Sequence, residues 1–129
     1  MKRFLIGASI FGATGVLLGA IGAHALENVL TANSLASFQT GVRYQLFHAL
    51  AIIAWIGVND RVSDNSLKWG LSLMSWGTVL FSSSIYLLAT RSATEWDHLS
   101  FLGPITPVGG LLLITGWIFL LAGVLKGRA

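Results

Sequence analysis

No cysteine occurs anywhere in the chain. Disulfides, thiolate metal sites and CxxC redox chemistry are thereby excluded, and cysteine usage says nothing about compartment. Charge is scarce as well. Charged residues fill 10% of the 129 positions, against roughly 25% in an ordinary soluble domain, too few to clothe a soluble globule of this size. Only two prolines are present, Pro104 and Pro107, so the rest of the chain is free of the strongest helix breaker. No nucleophile elbow, phosphate-binding loop, dinucleotide glycine fingerprint or pair of mid-membrane carboxylates is found.

What the chain has instead is apolar length. Hydrophobic residues make up 54% of it, and the mean hydropathy is +0.75. Its size fits one domain. Residues 4–26, 44–59, 69–90 and 99–125 are almost free of charge. About 20 helical residues cross the hydrocarbon core, so three of these runs suffice as they stand. The second is too short. Extending it back from Val58 by about 20 residues reaches Gln39 and draws Arg43 into the outer part of the span, where its side chain can snorkel. The expected fold class is all-α, an integral membrane bundle of four transmembrane helices. It forms a single domain over residues 1–129, with spans near 4–25, 38–58, 69–90 and 104–125.

The net charge of +3 resembles a nucleic-acid signal until the basic residues are located. With four spans, Lys2, Arg3, Arg61, Lys68, Lys126 and Arg128 fall on one side, and Arg43 and Arg91 on the other. The positive-inside rule then puts both termini in the cytoplasm of a multi-pass protein of the cytoplasmic membrane. The expected partner is the lipid bilayer, with a homo-oligomer left open and no nucleic acid. Lys2 and Arg3 followed by Ala23-His24-Ala25 also fit a secretory signal with an A-x-A cleavage site. The apolar run is about twice the usual length for that, and three more spans follow.

Small residues are patterned. Ala8, Gly12, Gly15, Gly19 and Gly22 recur at intervals of four and three on one face of the first span, and Gly15–Gly19 is a GxxxG pair. Such a stripe lets another helix approach closely, within the chain in preference to a second copy. Gly70 and Gly77, continued by Ser84, repeat every seven residues in the third span, as do Gly109, Gly116 and Gly123 in the fourth. Pro104 and Pro107 open the fourth span. If Pro104 is its first helical residue, neither proline removes a hydrogen bond, because the first four helical N–H groups lack partners. Asn33 and Ser34 are candidate N-caps for the second helix. Leu26, Val29 and Leu30 are expected to lie along the interface as a short amphipathic turn.

The second span carries most of the chemistry. Thr40, Tyr44, His48, Ala51 and Trp55 share one helical face, and Gln39, Arg43, Phe47, Leu50 and Ala54 the adjacent one. Two polar faces side by side predict a helix enclosed by protein. In the expected threading, His24, Glu27, Gln39, Arg43, Tyr44, Gln45, Tyr86 and Thr106 collect in the outer half, with His48 near mid-depth. Three readings follow. The favoured one is a structural network in which Arg43 pairs with Glu27; the second is a polar cavity around Arg43 and His48 for a proton, ion or small solute. The third, catalysis, has the weakest support. His24 and Glu27 form H-x-x-E, but two residues make no metal site and no second histidine stands at i+4, so neither a metal nor a cofactor is expected. Small multidrug exporters of similar length need an acidic residue well inside the first span, and Glu27 lies at its end.

The segments GAIGAHAL (19–26), FQTGVRYQLFHALAI (38–52), LFSSSIYLLA (80–89) and LGPITPVGGLLLITGW (102–117) resemble the YgdD-like family in order and spacing along nearly the whole chain. That resemblance implies a small four-span bacterial membrane protein, grouped under a domain of unknown function, with a eukaryotic relative and no established activity. One departure is Ser83, where the family pattern F-S-G-S has glycine; it predicts slightly looser packing there.

Overall fold

The computed structural model of the chain describes residues 1–95 and 97–127. Trp96, expected in the loop before the fourth span, and Arg128, one of the basic residues at the C-terminal end, lie outside them. Four long helices account for most of the chain: α1 (Lys2–His24), α2 (Ala32–Gly57), α3 (Asp64–Thr90) and α4 (Ile105–Lys126). Short 3-10 turns occupy Asn59–Arg61 and Asp97–Leu102. At 1.5 Å per residue each long helix measures about 33–40 Å, enough for a hydrocarbon core of about 30 Å. By length and composition, Lys2–His24, Asp64–Thr90 and His98–Lys126 are apolar enough to cross a membrane. Helix α2 has the length, at 26 residues, but its run of polar residues from Asn33 to His48 lowers its hydropathy.

The helix ends follow local chemistry. Helix α2 begins six residues before the expected span, capped by Thr31 and not by Asn33 or Ser34. The Thr31 hydroxyl accepts the Ser34 N–H at 3.2 Å and donates to the Ser34 hydroxyl. Helix α3 likewise starts early, at Asp64, five residues before the expected span. Pro104 is the N-cap of α4 and not its first residue, and Pro107 still falls among the positions whose N–H groups have no helical acceptor. Gly127, at φ 68°, ends α4 in a left-handed conformation that suits glycine. The connection after α1 is a tight turn. Leu30 is buried there, Leu26 packs against the cluster of Phe38, Val42 and Ala89, and Val29 stays exposed.

Helix α1 packs on α2, α2 on α3, and α3 on α4, while α1 only grazes α3. The tightest join is the α3–α4 seam, where the heptad glycines face each other. A methyl group added at Gly70 would lie 3.1 Å from the Gly116 carbonyl oxygen, and one at Gly109 would lie 2.5 Å from the Phe81 amide nitrogen. Gly77 receives Leu113, and Gly123 receives Val62 and Ser66. The seam closes at one end with Ser84 Oγ and Thr106 Oγ1 hydrogen-bonded at 2.7 Å. At the other end the Ser63 N–H donates to the Gly123 carbonyl at 3.2 Å. In lipid, where apolar burial gives little drive, such backbone approach and interhelical bonding hold helices together.

The α1 stripe faces α2 along only part of its length. Ala8 is buried; Gly15 takes Leu46, Gly22 takes Phe38, and Gly19 lies more loosely against Val42. Gly12 faces open space. Two apolar clusters result. One gathers Phe4, Ala8, Ile52, Ile56, Leu67, Leu71, Met74 and Leu120; the other gathers Phe38, Val42 and Ala89 with Leu46 and Tyr86.

Candidate functional site: a polar clamp across three helices

Gln45 stands between these clusters, 5% exposed, with both amide donors and the amide oxygen engaged. Its Oε1 accepts the Tyr86 hydroxyl of α3 at 2.8 Å. Its Nε2 donates to the Phe11 carbonyl of α1 at 2.8 Å and to Thr14 Oγ1 at 2.7 Å. Thr14 in turn donates to the Ile10 carbonyl at 2.7 Å. A glycine makes this reach possible. The space that a Gly15 side chain would fill is taken by Leu46, and Gln45 Nε2 lies 3.4 Å from the position of its missing Cβ. The Phe11 carbonyl, which α1 already uses for its own ladder, is thereby open to a second donor.

A second crossing sits on the α2–α3 side. Ser82 donates to the Gly41 carbonyl at 2.9 Å, and the Tyr86 ring fills the place where a Gly41 Cβ would stand. The same ring tilts against Phe38 at 4.9 Å. The i−4 bond that lets an intramembrane serine do without an interhelical partner is used by Ser72, Ser75 and Thr78. Ser82 instead joins α3 to α2.

His48 links α2 to α4. Its Nδ1 lies 2.8 Å from the Tyr44 carbonyl, which can only accept, and its Nε2 lies 3.3 Å from the Trp117 indole N–H, which can only donate. Those partners select the neutral tautomer with the proton on Nδ1. Trp117 also meets Trp55 edge to face at 6.1 Å, and the Tyr44 ring leans on Phe81 at 4.6 Å. Tyr44, His48, Ala51 and Trp117 line an open, largely apolar groove of about 570 Å³.

The expected Arg43–Glu27 pair does not form. The Arg43 guanidinium donates to Thr40 Oγ1 at 3.3 Å, and both Arg43 and Glu27 are exposed. Antiparallel packing explains the separation. Gly19 lies beside Val42, which sets Arg43 level with Gly19, and Glu27 is eight residues further on, beyond the end of α1. Arg43 and Gln39 line a smaller groove of about 280 Å³ with Gly19, Gly22, Phe38 and Val42. Arg43 and His48 thus line different grooves.

The rest of the expected cluster divides. Gln45 and Tyr86 meet directly, Thr106 bonds Ser84 apart from them, and His24, Glu27 and Gln39 are exposed. Helix α2 is also not enclosed on both polar faces. Phe47 and Leu50, which share the Arg43 face, are 71% and 68% exposed.

The comparisons with known proteins bear on identity. The family described as "Protein of unknown function (DUF423)" matches residues 18–110. A UPF0382 membrane protein of Staphylococcus saprophyticus is 36% identical over 98% of this chain and 99% of its own. The chain belongs to the DUF423 family. A second relative, the UPF0382 inner membrane protein YgdD of Escherichia coli K12, is 38% identical over 97% of this chain and 92% of its own. No solved structure matches the chain. The YgdD-like resemblance is thereby established, and the chain is a multi-pass membrane protein of a family without an assigned activity.

Against the family pattern, Ser83 proves harmless. It is exposed and its hydroxyl bonds the Val79 carbonyl of its own helix, so no packed neighbour is loosened. Sequence reading missed Thr14, Gly41, Ser82 and Trp117 as participants. Thr14 had one available signal: it directly precedes Gly15 of the small-residue stripe.

Proposed function

We propose that this DUF423 protein is a four-span structural or accessory component of the cytoplasmic membrane, with both termini in the cytoplasm and its interior polar groups holding helices together. The observation that carries the reading is Gln45, whose amide oxygen is bonded to Tyr86 of α3 and whose two donors are bonded to Thr14 and the Phe11 carbonyl of α1. Intramembrane polar groups are functional candidates by default. With both of its donors and its oxygen bonded inside the bundle, the amide has no free N–H to offer a passing solute. The threading is supported by the lengths of the helices and by the basic residues gathered at one end. The name of the Escherichia coli relative, an inner membrane protein, supports the choice of membrane.

The alternative is a solute path around Arg43 and His48. It calls for one cavity reaching both, and the separate grooves and the two engaged nitrogens of His48 weigh against it. Ser82→Cys tests the dry reading. A thiol at that buried position should resist a small charged methanethiosulfonate added from either side of the membrane. Rapid modification from one side would establish a water path and overturn the structural role.

A further inference from the structure

We propose that the shallow groove between α1 and α3, at the end carrying Lys2 and Lys68, binds one anionic phospholipid. Its phosphate rests on Arg3, and the upper part of one acyl chain lies along Phe4, Gly7 and Trp76. Because α1 only grazes α3, the two helices leave a groove of about 260 Å³ lined by Arg3, Phe4, Gly7, Ser72, Ser75 and Trp76.

Each wall has a feature that suits a lipid. The Arg3 guanidinium carbon lies over the Phe4 ring, 4.6 Å from its centre. That contact anchors the cation at the groove rim, and a guanidinium carries the fork of N–H groups that matches a phosphate. Gly7 has nothing within 4 Å of where its side chain would be, so the groove floor is open beside it, one helical turn below Arg3. The Trp76 indole is 66% exposed and forms the opposite wall, an amphipathic ring of the kind that sits against lipid. Ser72 and Ser75 line the groove without unmet donors, since their hydroxyls are bonded to the Lys68 and Leu71 carbonyls.

Charge complementarity selects the occupant. Lys2 and Lys68 share this end of the two groove-forming helices with Arg3, and basic residues near an anionic membrane surface strengthen attraction. The acidic Asp60 and Asp64 at the same end do not line the groove. Assignment to the cytoplasmic leaflet rests on the proposed threading; the binding itself does not.

The test uses the full chain in an uncharged detergent, so its outcome is independent of threading. Thermal melting is followed against added phosphatidylglycerol, phosphatidylcholine of the same chains, or inorganic phosphate. Phosphatidylglycerol alone should raise Tm saturably. Arg3→Gln should raise the half-saturating concentration about fivefold. Gly7→Leu, which fills the open floor, should do the same without changing Tm in the absence of lipid, whereas Arg61→Gln should leave the titration unchanged. If Gly7→Leu alters the lipid-free Tm, Trp76→Leu on the opposite wall takes its place. Equal stabilisation by phosphatidylcholine would overturn the proposal, as would full reproduction by inorganic phosphate. Equal weakening by Arg3→Gln and Arg61→Gln would also overturn it, since a diffuse basic belt would then account for the effect.

Discussion

A single amide, Gln45, ties three helices, because a side chain with two donors and one good acceptor can serve two neighbours at once. Interhelical hydrogen bonds within membranes average about 0.6 kcal/mol and reach about 1.7. Gln45→Leu and Tyr86→Phe should each lower Tm in detergent. A double-mutant cycle between them should give a coupling inside that range, because either substitution removes the same bond. Zero coupling would mean that the bond contributes nothing. Arg43 and Glu27 should behave in the opposite way. The two are exposed and unpaired with each other, so the Glu27→Gln and Arg43→Gln effects should add. A positive interaction energy would reinstate the pair that the charge pattern predicts.

At the scale of helices, two glycine patterns that look alike in sequence do different jobs at different positions. Gly109 sits where even a methyl would meet the Phe81 backbone at 2.5 Å, and backbone cannot rotate aside. Gly109→Ala should therefore part the α3–α4 seam and cost about 1–3 kcal/mol, the range for overpacking. Gly12 belongs to an equally regular stripe but faces open space. Gly12→Ala should leave Tm unchanged or raise it, since alanine favours a helix by up to about 1 kcal/mol over glycine. Equal damage at both sites would show that glycine serves helix flexibility in both patterns. The six extra residues at the start of α2 illustrate the same point. A polar segment too hydrophilic to be counted as span still continues the helix once Thr31 caps it.

For the whole molecule the decisive question is threading. Four helices of spanning length and a basic end predict that 33 and 65 lie on opposite sides. Single cysteines at Asn33 and Asn65, both exposed, should label oppositely with an impermeant thiol reagent in intact cells, Asn33→Cys from outside. Labelling of both from one side would reduce the number of spans between them and withdraw the four-span reading. Helix α4, which packs mainly on α3, meets α2 through the Trp117 contacts with His48 and Trp55. The bundle is consequently open along that flank.

By itself the sequence determined that the chain is an all-helical membrane protein of its family, because composition and the length of apolar runs act locally along the chain. It also marked the glycines of α3 and α4, since a seven-residue repeat keeps one face aligned. It named Gln45, Tyr86 and Thr106 as polar residues in apolar helices, which must find partners. Which partners they find was decided only by tertiary structure. Register between antiparallel helices sets Gln45 against Thr14 and lifts Arg43 out of reach of Glu27. A pairing based on charge and rough depth cannot resolve that offset, because one helical turn moves a side chain by about 5.4 Å, more than a hydrogen bond can span.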